Sequence, residues 1–262
     1  MDARRKDRYV ALLSSSIKAD VLHGGAVDLQ KDWAELYPGK TLPGNQDDFI
    51  QLVRHCTSDG EFVWGGISFY AAEGLWGIGG LARENIATGD MDVIRPRGAL
   101  ELSTGPVAHV AGELWFGQYH YGECEGPTSG TGLKKLRFNE VAQRYESESV
   151  PEVCGFAIRD FQELDGALWV ATDLGVSRLT PGEPSQWTNF VPDLRNNALV
   201  MREVSCDTLY AELLSSEQFA NTEGFDLGFA FEDLWNRLRE HRPEFVRRHL
   251  RKLHSLEAPQ RR

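Results

Sequence analysis

No apolar run in the chain approaches the ~18–20 residues that a membrane-spanning helix needs, so a helical anchor is not expected. Cysteine is scarce, four residues in 262 (Cys56, Cys124, Cys154, Cys206), and none forms a Cys-x-x-Cys pair. That spacing argues against a zinc module and against a dense disulfide scaffold. Positive charge is in the minority, 28 Lys plus Arg against 39 Asp plus Glu, for a net charge of -11. A protein that binds nucleic acid over its whole surface would be basic, so that class is disfavoured. The start, MDARRKDRYV, is basic, but the following ALLSSSIKADVL is too polar and too short for a signal-peptide core. The expected compartment is therefore the cytoplasm. What the chain does have is 41% hydrophobic and 10% aromatic residues, enough for a folded core.

Glycine is plentiful but unevenly placed: 20 of 26 lie between Gly60 and Gly182. An interior glycine costs a helix about 0.5–1 kcal/mol relative to alanine, so this middle region should be β-rich. The flanks read differently. Val10, Leu13, Ile17 and Val21 fall at helical spacing, with Gly24-Gly25 as a stop. Phe231, Leu234, Trp235 and Leu238 do the same, followed by Val246, Leu250 and Leu253, with Pro243 placed to open a second helix.

The middle repeats. A polar turn followed by an apolar strand bearing Trp occurs as DGEFVW (59–64), AGELW (111–115) and DGALW (165–169). A Gly-apolar-x-basic step follows each time, ending at Arg83, Lys135 and Arg178. An apolar strand precedes each unit (QLVRHC, PVAHV, GFAIRDF), and a further strand closes it, as in ATGDMDVIRP and PSQWTNFVP. The gap from Trp to the following Gly is 16, 17 and 6 residues, so units one and two carry about ten extra residues at the same place. Without them the period matches a four-stranded propeller blade. A worn fourth copy is expected from VMREVSCDTLYAELL (200–214), with Tyr210 in the place of Trp.

Unit three, DGALWVATDLGVSRLTPG (165–182), resembles the two-component regulator propeller repeat: Asp-Gly, an apolar-Trp pair, a small-Thr step, then Gly-apolar-x-Arg. Units one and two keep only the Trp64-Gly65-Gly66 and Trp115-Phe116-Gly117 core of that pattern. The resemblance implies blades of a β-propeller, and for the family, sensor regions that recognise glycans or other small ligands. This chain has fewer repeats than that family's large rings, and no kinase or response-regulator part. The expected fold is mainly β: a propeller-like array of three to four blades (49–214), flanked by an N-terminal helical or loop segment (1–48) and a C-terminal helical segment (215–262). Either the helices cap an open arc, or two chains complete one ring as a homodimer.

Two constellations are candidates for binding. The insertions ISFYAAEGLWGI (67–78) and QYHYGECEGPTSGT (118–131) carry Tyr70 and Trp76, and Tyr119, His120 and Tyr121, next to Glu73, Glu123 and Glu125. Aromatic faces beside carboxylates suit a sugar-like or cationic ligand, or a protein partner. Arg54, Arg159 and Arg202 precede the unit landmarks, and would converge as an anion site if their strands line an axis. Cys56, Cys154 and Cys206 are expected as core residues, and no metal or cofactor is expected. AELYPGKT (34–41) and GIGGLA (77–82) mimic nucleotide-binding loops but lack the strand–turn–helix context those loops need. The tail 237–262 has nine Arg or Lys and three Asp or Glu, a local charge of +6, most simply packed on the acidic body.

The leading expectation is a non-enzymatic binding or scaffold protein that uses the two aromatic insertions. The competing one is a propeller-based lyase or hydrolase with His109 or His120 as base and Glu123 or Glu125 as acid. A third is attachment to nucleic acid or a membrane surface through the basic C-terminal helix.

Overall fold

The computed structural model describes residues 34, 39, 50–71, 74–96, 103–122, 126–182, 186–193, 201–215 and 231–248. At 50–55, 68–71, 74–79, 103, 119–122, 126–129 and 231–233 it describes the backbone only. The described residues form three antiparallel sheets, each a meander in sequence order. The first holds β1 (Ile50–Ser58), β2 (Phe62–Ala71), β3 (Gly74–Asn85) and β4 (Met91–Ile94). The second holds β5 (Ser103–Val110), β6 (Glu113–Gly122), β7 (Gly126–Asn139) and β8 (Arg144–Ser149). The third holds β9 (Ile158–Leu164), β10 (Ala167–Thr172), β11 (Val176–Thr180), β12 (Gln186–Pro192) and a fifth strand, β13 (Met201–Val204).

The repeated polar turns do the chain reversals. Ala111-Gly112 and Asp165-Gly166 are two-residue connections with positive φ at both residues (54° and 75°, 53° and 73°), the backbone that twists with its flanking strands. Unit one uses three residues, and there Asp59 is the organiser. Its carboxylate accepts the N–H groups of Glu61 (2.9 Å) and Phe62 (2.7 Å) and the Trp64 indole N–H (2.7 Å). Partial burial pushes its pKa up, but these three donors outweigh it and hold the carboxyl below the ordinary range.

Alternation along each strand then decides the packing. Trp64, Leu81 and Ile94 face the second sheet and meet Val107, Leu114 and Phe116. Trp115 and Leu133, on the opposite side of the second sheet, meet Ile158, Leu168, Val170 and Leu179 of the third. Two residues beyond each of these tryptophans, toward the next sheet, stands a glycine. A Cβ on Gly66 would strike the carbonyl oxygen of Gly105 on β5, and one on Gly117 would strike the side chain of Ile158 on β9. The first strand of each following sheet therefore runs directly over its predecessor's second strand. In the third sheet the equivalent residue is Ala171, and the described residues place no fourth sheet against it.

The expected fourth unit is not a sheet. Met201–Val204 joins the third sheet as β13, and Cys206–Ser215 is a helix (α1) that carries Tyr210. A strand cannot continue here because Ser205 caps a helix, its hydroxyl accepting the Thr208 N–H (3.1 Å). Helices α2 (Phe231–His241) and α3 (243–248, opening at Pro243 as anticipated) follow. Leu209 and Tyr210 of α1, Leu234 and Leu238 of α2, and Phe245 and Val246 of α3 form one core with Cys154, Phe156, Val191 and Val204. These helices thus cover the inner side of the third sheet's outer strands. No described helix is long and apolar enough to cross a membrane. The helical pattern at 2–22, and Leu250 and Leu253, lie outside the described residues.

Gly66→Ala and Gly117→Ala are each expected to destabilise the protein by about 1–3 kcal/mol, as overpacking does. Ala171→Val should change stability by less than about 0.5 kcal/mol, as surface substitutions do. Chemical denaturation of the three variants measures this; an equal loss in all three would contradict the packing described.

Candidate functional site

The basic residue that closes each repeat has a structural task. In every unit it lies directly across the ladder from the tryptophan: Trp64 opposite Arg83, Trp115 opposite Lys135, Trp169 opposite Arg178. The cation stands over the indole at 5.7, 5.3 and 5.5 Å respectively. Each such contact contributes about 0.5–1 kcal/mol where solvent reaches it. The first two cations are further held by carboxylates, Arg83 by Asp92 (2.8 Å) and Lys135 by Glu113 (3.2 Å). Arg178 has no such carboxylate across the ladder, where Thr188 stands. It lies instead beside both Trp169 and Phe190, whose rings stack at 5.9 Å. All three are half-buried, on the side where the other sheets receive a successor.

The two aromatic insertions are continuations of the β2–β3 and β6–β7 ladders. Phe69 pairs with Trp76 and Tyr70 with Leu75; Tyr119 pairs with Gly130, His120 with Ser129 and Tyr121 with Pro127. In both sheets the fourth strand stops short, pairing only Leu81–Glu84 and Lys134–Asn139, so the first three strands run past it. The side chains of Tyr70, Trp76, Tyr119, His120 and Tyr121 lie outside the described residues, as do Glu73, Glu123 and Glu125 entirely.

His109 is not part of that end. It pairs with Leu114, and its N–H donates to Thr57 Oγ1 (3.0 Å). His120 sits six residues further along β6, which at ~3.3 Å per residue is about 20 Å away. The two candidate bases, His109 on β5 and His120 on β6, are thus at opposite ends of the β5–β6 ladder. The arginine constellation also separates. Arg54 is on β1 with its side chain undescribed, and Arg159 on β9 is exposed. Arg202 is on β13, four strands from β9 or about 19 Å across the sheet, and pairs with Glu212 of α1.

The polar centre that sequence reasoning missed joins the third sheet to the helices. Cys154 and Cys206 form a disulfide with Cα atoms 5.1 Å apart, closing a 52-residue separation. In a chain-entropy account such a loop contributes about 4 kcal/mol. This corrects the reading of both residues as plain core thiols, and removes the cysteine argument for a reducing compartment. Cys56 is buried and not part of the disulfide, in line with its reading as a core residue. Buried Asn189 ties the same corner: its Oδ1 accepts from Ser177 Oγ (2.5 Å) and the Cys154 N–H (3.2 Å), and its Nδ2 donates to the Glu152 carbonyl (2.9 Å). No repeat or motif signals these contacts, because their partners are 12 to 37 residues apart and each pair occurs once.

Behind the disulfide lies a cluster of titratable groups. Tyr210 accepts the Gly155 N–H (3.2 Å), Asp173 accepts the Phe156 N–H (2.8 Å), Lys134 donates to Ser149 (2.8 Å), and Arg242 donates to the Val153 carbonyl (2.9 Å). Burial raises the pKa of Asp173 and Tyr210 and, with Arg242 nearby, lowers that of Lys134. His241 packs its ring at 6.0 Å from Phe156. Burial is the largest cause holding its pKa below the ordinary range; Glu240 at 3.7 Å pulls the other way, and Lys134, Arg242 and Arg237 reinforce burial. Among the described residues no group of three or more His, Cys, Asp or Glu could hold a metal ion.

Because the folded pKa of His241 lies below its unfolded value near 6.5, its contribution to stability is full above that pH and lost as pH falls through the folded value. His241→Phe keeps a ring against Phe156 and removes that proton. Between pH 7 and pH 5 the variant should lose less thermal stability than the parent; equal losses would contradict the assignment.

Compared with protein-family models and with curated proteins, the chain matches none, so its own residues are the ground for a functional reading.

Proposed function

We propose that the protein is a non-enzymatic binding or scaffold protein built on propeller-like repeats, with its contact surface at the two aromatic hairpin ends. The carrying observation is the length of those ladders. The second and third strands span 10 and 12 residues in the first sheet and 10 and 14 in the second, but only 6 and 5 in the third. The third sheet packs on its neighbour with the short form, so the additional length is not required for sheet-to-sheet contact. It brings Tyr70 and Trp76 to the same end of the first sheet as Tyr119, His120 and Tyr121 occupy in the second.

Such an end, aromatic with Glu73, Glu123 and Glu125 in the adjoining sequence, suits a polar sugar-like ligand or an aromatic-seeking protein surface. Catalysis has less support, since His109, on β5 opposite Leu114, lies at the other end of the β5–β6 ladder. The test uses a panel of neutral and amino-sugar oligosaccharides as probes, read by saturation-transfer NMR. Tyr70→Ala with Trp76→Ala, and Tyr119→Ala with Tyr121→Ala, should each weaken binding at least tenfold while the melting temperature stays within about 2 °C, since surface substitutions change stability little. A large fall in melting temperature in both variants would instead make these aromatics local core.

A further inference from the structure

Beside the disulfide lies a cleft of about 590 Å³, lined by Pro151, Glu152, Trp187, Asn189, Glu203 and Asp207 among others. One wall is the edge of β12. Strand β13 pairs only with Asn189–Pro192, so among the described residues Gln186–Thr188 have no strand on their outer side. Trp187 packs edge-on against Trp115 at 5.6 Å and remains half-buried. The lining also includes three acidic residues, Glu152, Glu203 and Asp207. Glu152 and Glu203 are exposed and have no ion-pair partner among the described residues, while Asp207 holds Arg248 at 2.7 Å.

That last contact locates the start of another part of the chain. From the end of helix α3, the Arg248 side chain reaches the cleft's lining at Asp207. The residues that follow, HLRKLHSLEAPQRR (249–262), carry Arg251, Lys252, Arg261 and Arg262 against Glu257, a net charge of +3. We propose that this cleft is the docking site of the chain's own basic segment 249–262, with Arg251 and Lys252 meeting Glu152 and Glu203. Arg251 is three residues beyond Arg248, within a reach of about 10 Å, and Lys252 about 14 Å. A segment tethered at the rim acts at an effective concentration in the millimolar range, so a contact too weak to form between separate molecules is populated here. The aliphatic stems of Arg and Lys also suit the Trp187 ring, which gives the cation a π face. The proposal does not depend on the hairpin ends and places the opposite, basic end of the sequence against the acidic body.

The test uses the full chain. Lys252 is the single lysine of 249–262, so a zero-length carbodiimide cross-link from it reports its carboxylate neighbours directly. The expected product, mapped by mass spectrometry, joins Lys252 to Glu152 or Glu203, and Glu152→Gln with Glu203→Gln reduces Lys252 cross-linking at least tenfold. A mixture of isotopically light and heavy chains should give links within one chain only. In addition, a fluorescein-labelled peptide of sequence 249–262 should bind the full-length Arg251→Gln, Lys252→Gln variant at least fivefold more tightly than the parent, whose cleft is already filled. Cross-links from Lys252 to other carboxylates, light-to-heavy links, or equal peptide affinity for the two proteins would each overturn the proposal.

Discussion

The structure rests on the close approach of one sheet's first strand to the second strand of the sheet before it. Gly66 and Gly117 make that approach sterically allowed, and the tryptophan two residues earlier fills the space beside it. Burying an aromatic of this size removes 150–250 Å² from water, a gross gain of about 4–6 kcal/mol at each site. The basic residue across the ladder covers the indole's remaining face without leaving solvent. Stacking, the repeat signature and the meander topology are three views of the same packing rule. Where the glycine becomes Ala171, the array of described sheets ends.

What replaces a further sheet is a helical cap on the inner side of the third sheet's outer strands. It is held by an apolar core around Tyr210, by the Cys154–Cys206 disulfide and by the Asn189 hydrogen bonds. Placing the disulfide and the polar cluster together puts several cations, Lys134, Arg237 and Arg242, near one buried carboxylate, Asp173. Among the described residues, the cap thus brings a disulfide and a buried titratable cluster together, so its packing depends on both protonation and redox state. The hairpin ends, in contrast, are built on plain backbone ladders.

Much of the sheet region was legible in the sequence because its signals are local and repeated. Strand alternation and the Asp-Gly and Ala-Gly turns each operate over fewer than ten residues, the Trp landmark recurs in all three units, and the strands predicted around Trp64, Trp115 and Trp169 are present. The purpose of the recurring basic residue was not legible, since it requires the cross-strand register. The fourth unit was misread because Met-Arg-Glu-Val (Met201–Val204) does form a strand, and the Ser205 cap, one residue beyond it, opens α1. The cysteine pair was missed for a similar reason: a 52-residue separation carries no spacing rule. Of the candidate sites, the hairpin aromatics were found through the length difference between units, whereas grouping Arg202 with Arg54 and Arg159 presumed a fourth inner strand.

The central claim is the direct contact between successive sheets at the glycine positions, and a double-mutant cycle between Gly117→Ala and Ile158→Gly tests it most directly. Removing the whole Ile158 side chain, its Cβ included, opens the space that a methyl group on Gly117 needs. The account predicts that the double variant is more stable than the sum of the two single losses by at least about 1 kcal/mol, the size expected for residues in contact. Additivity to within about 0.5 kcal/mol, as for distant sites, would contradict it.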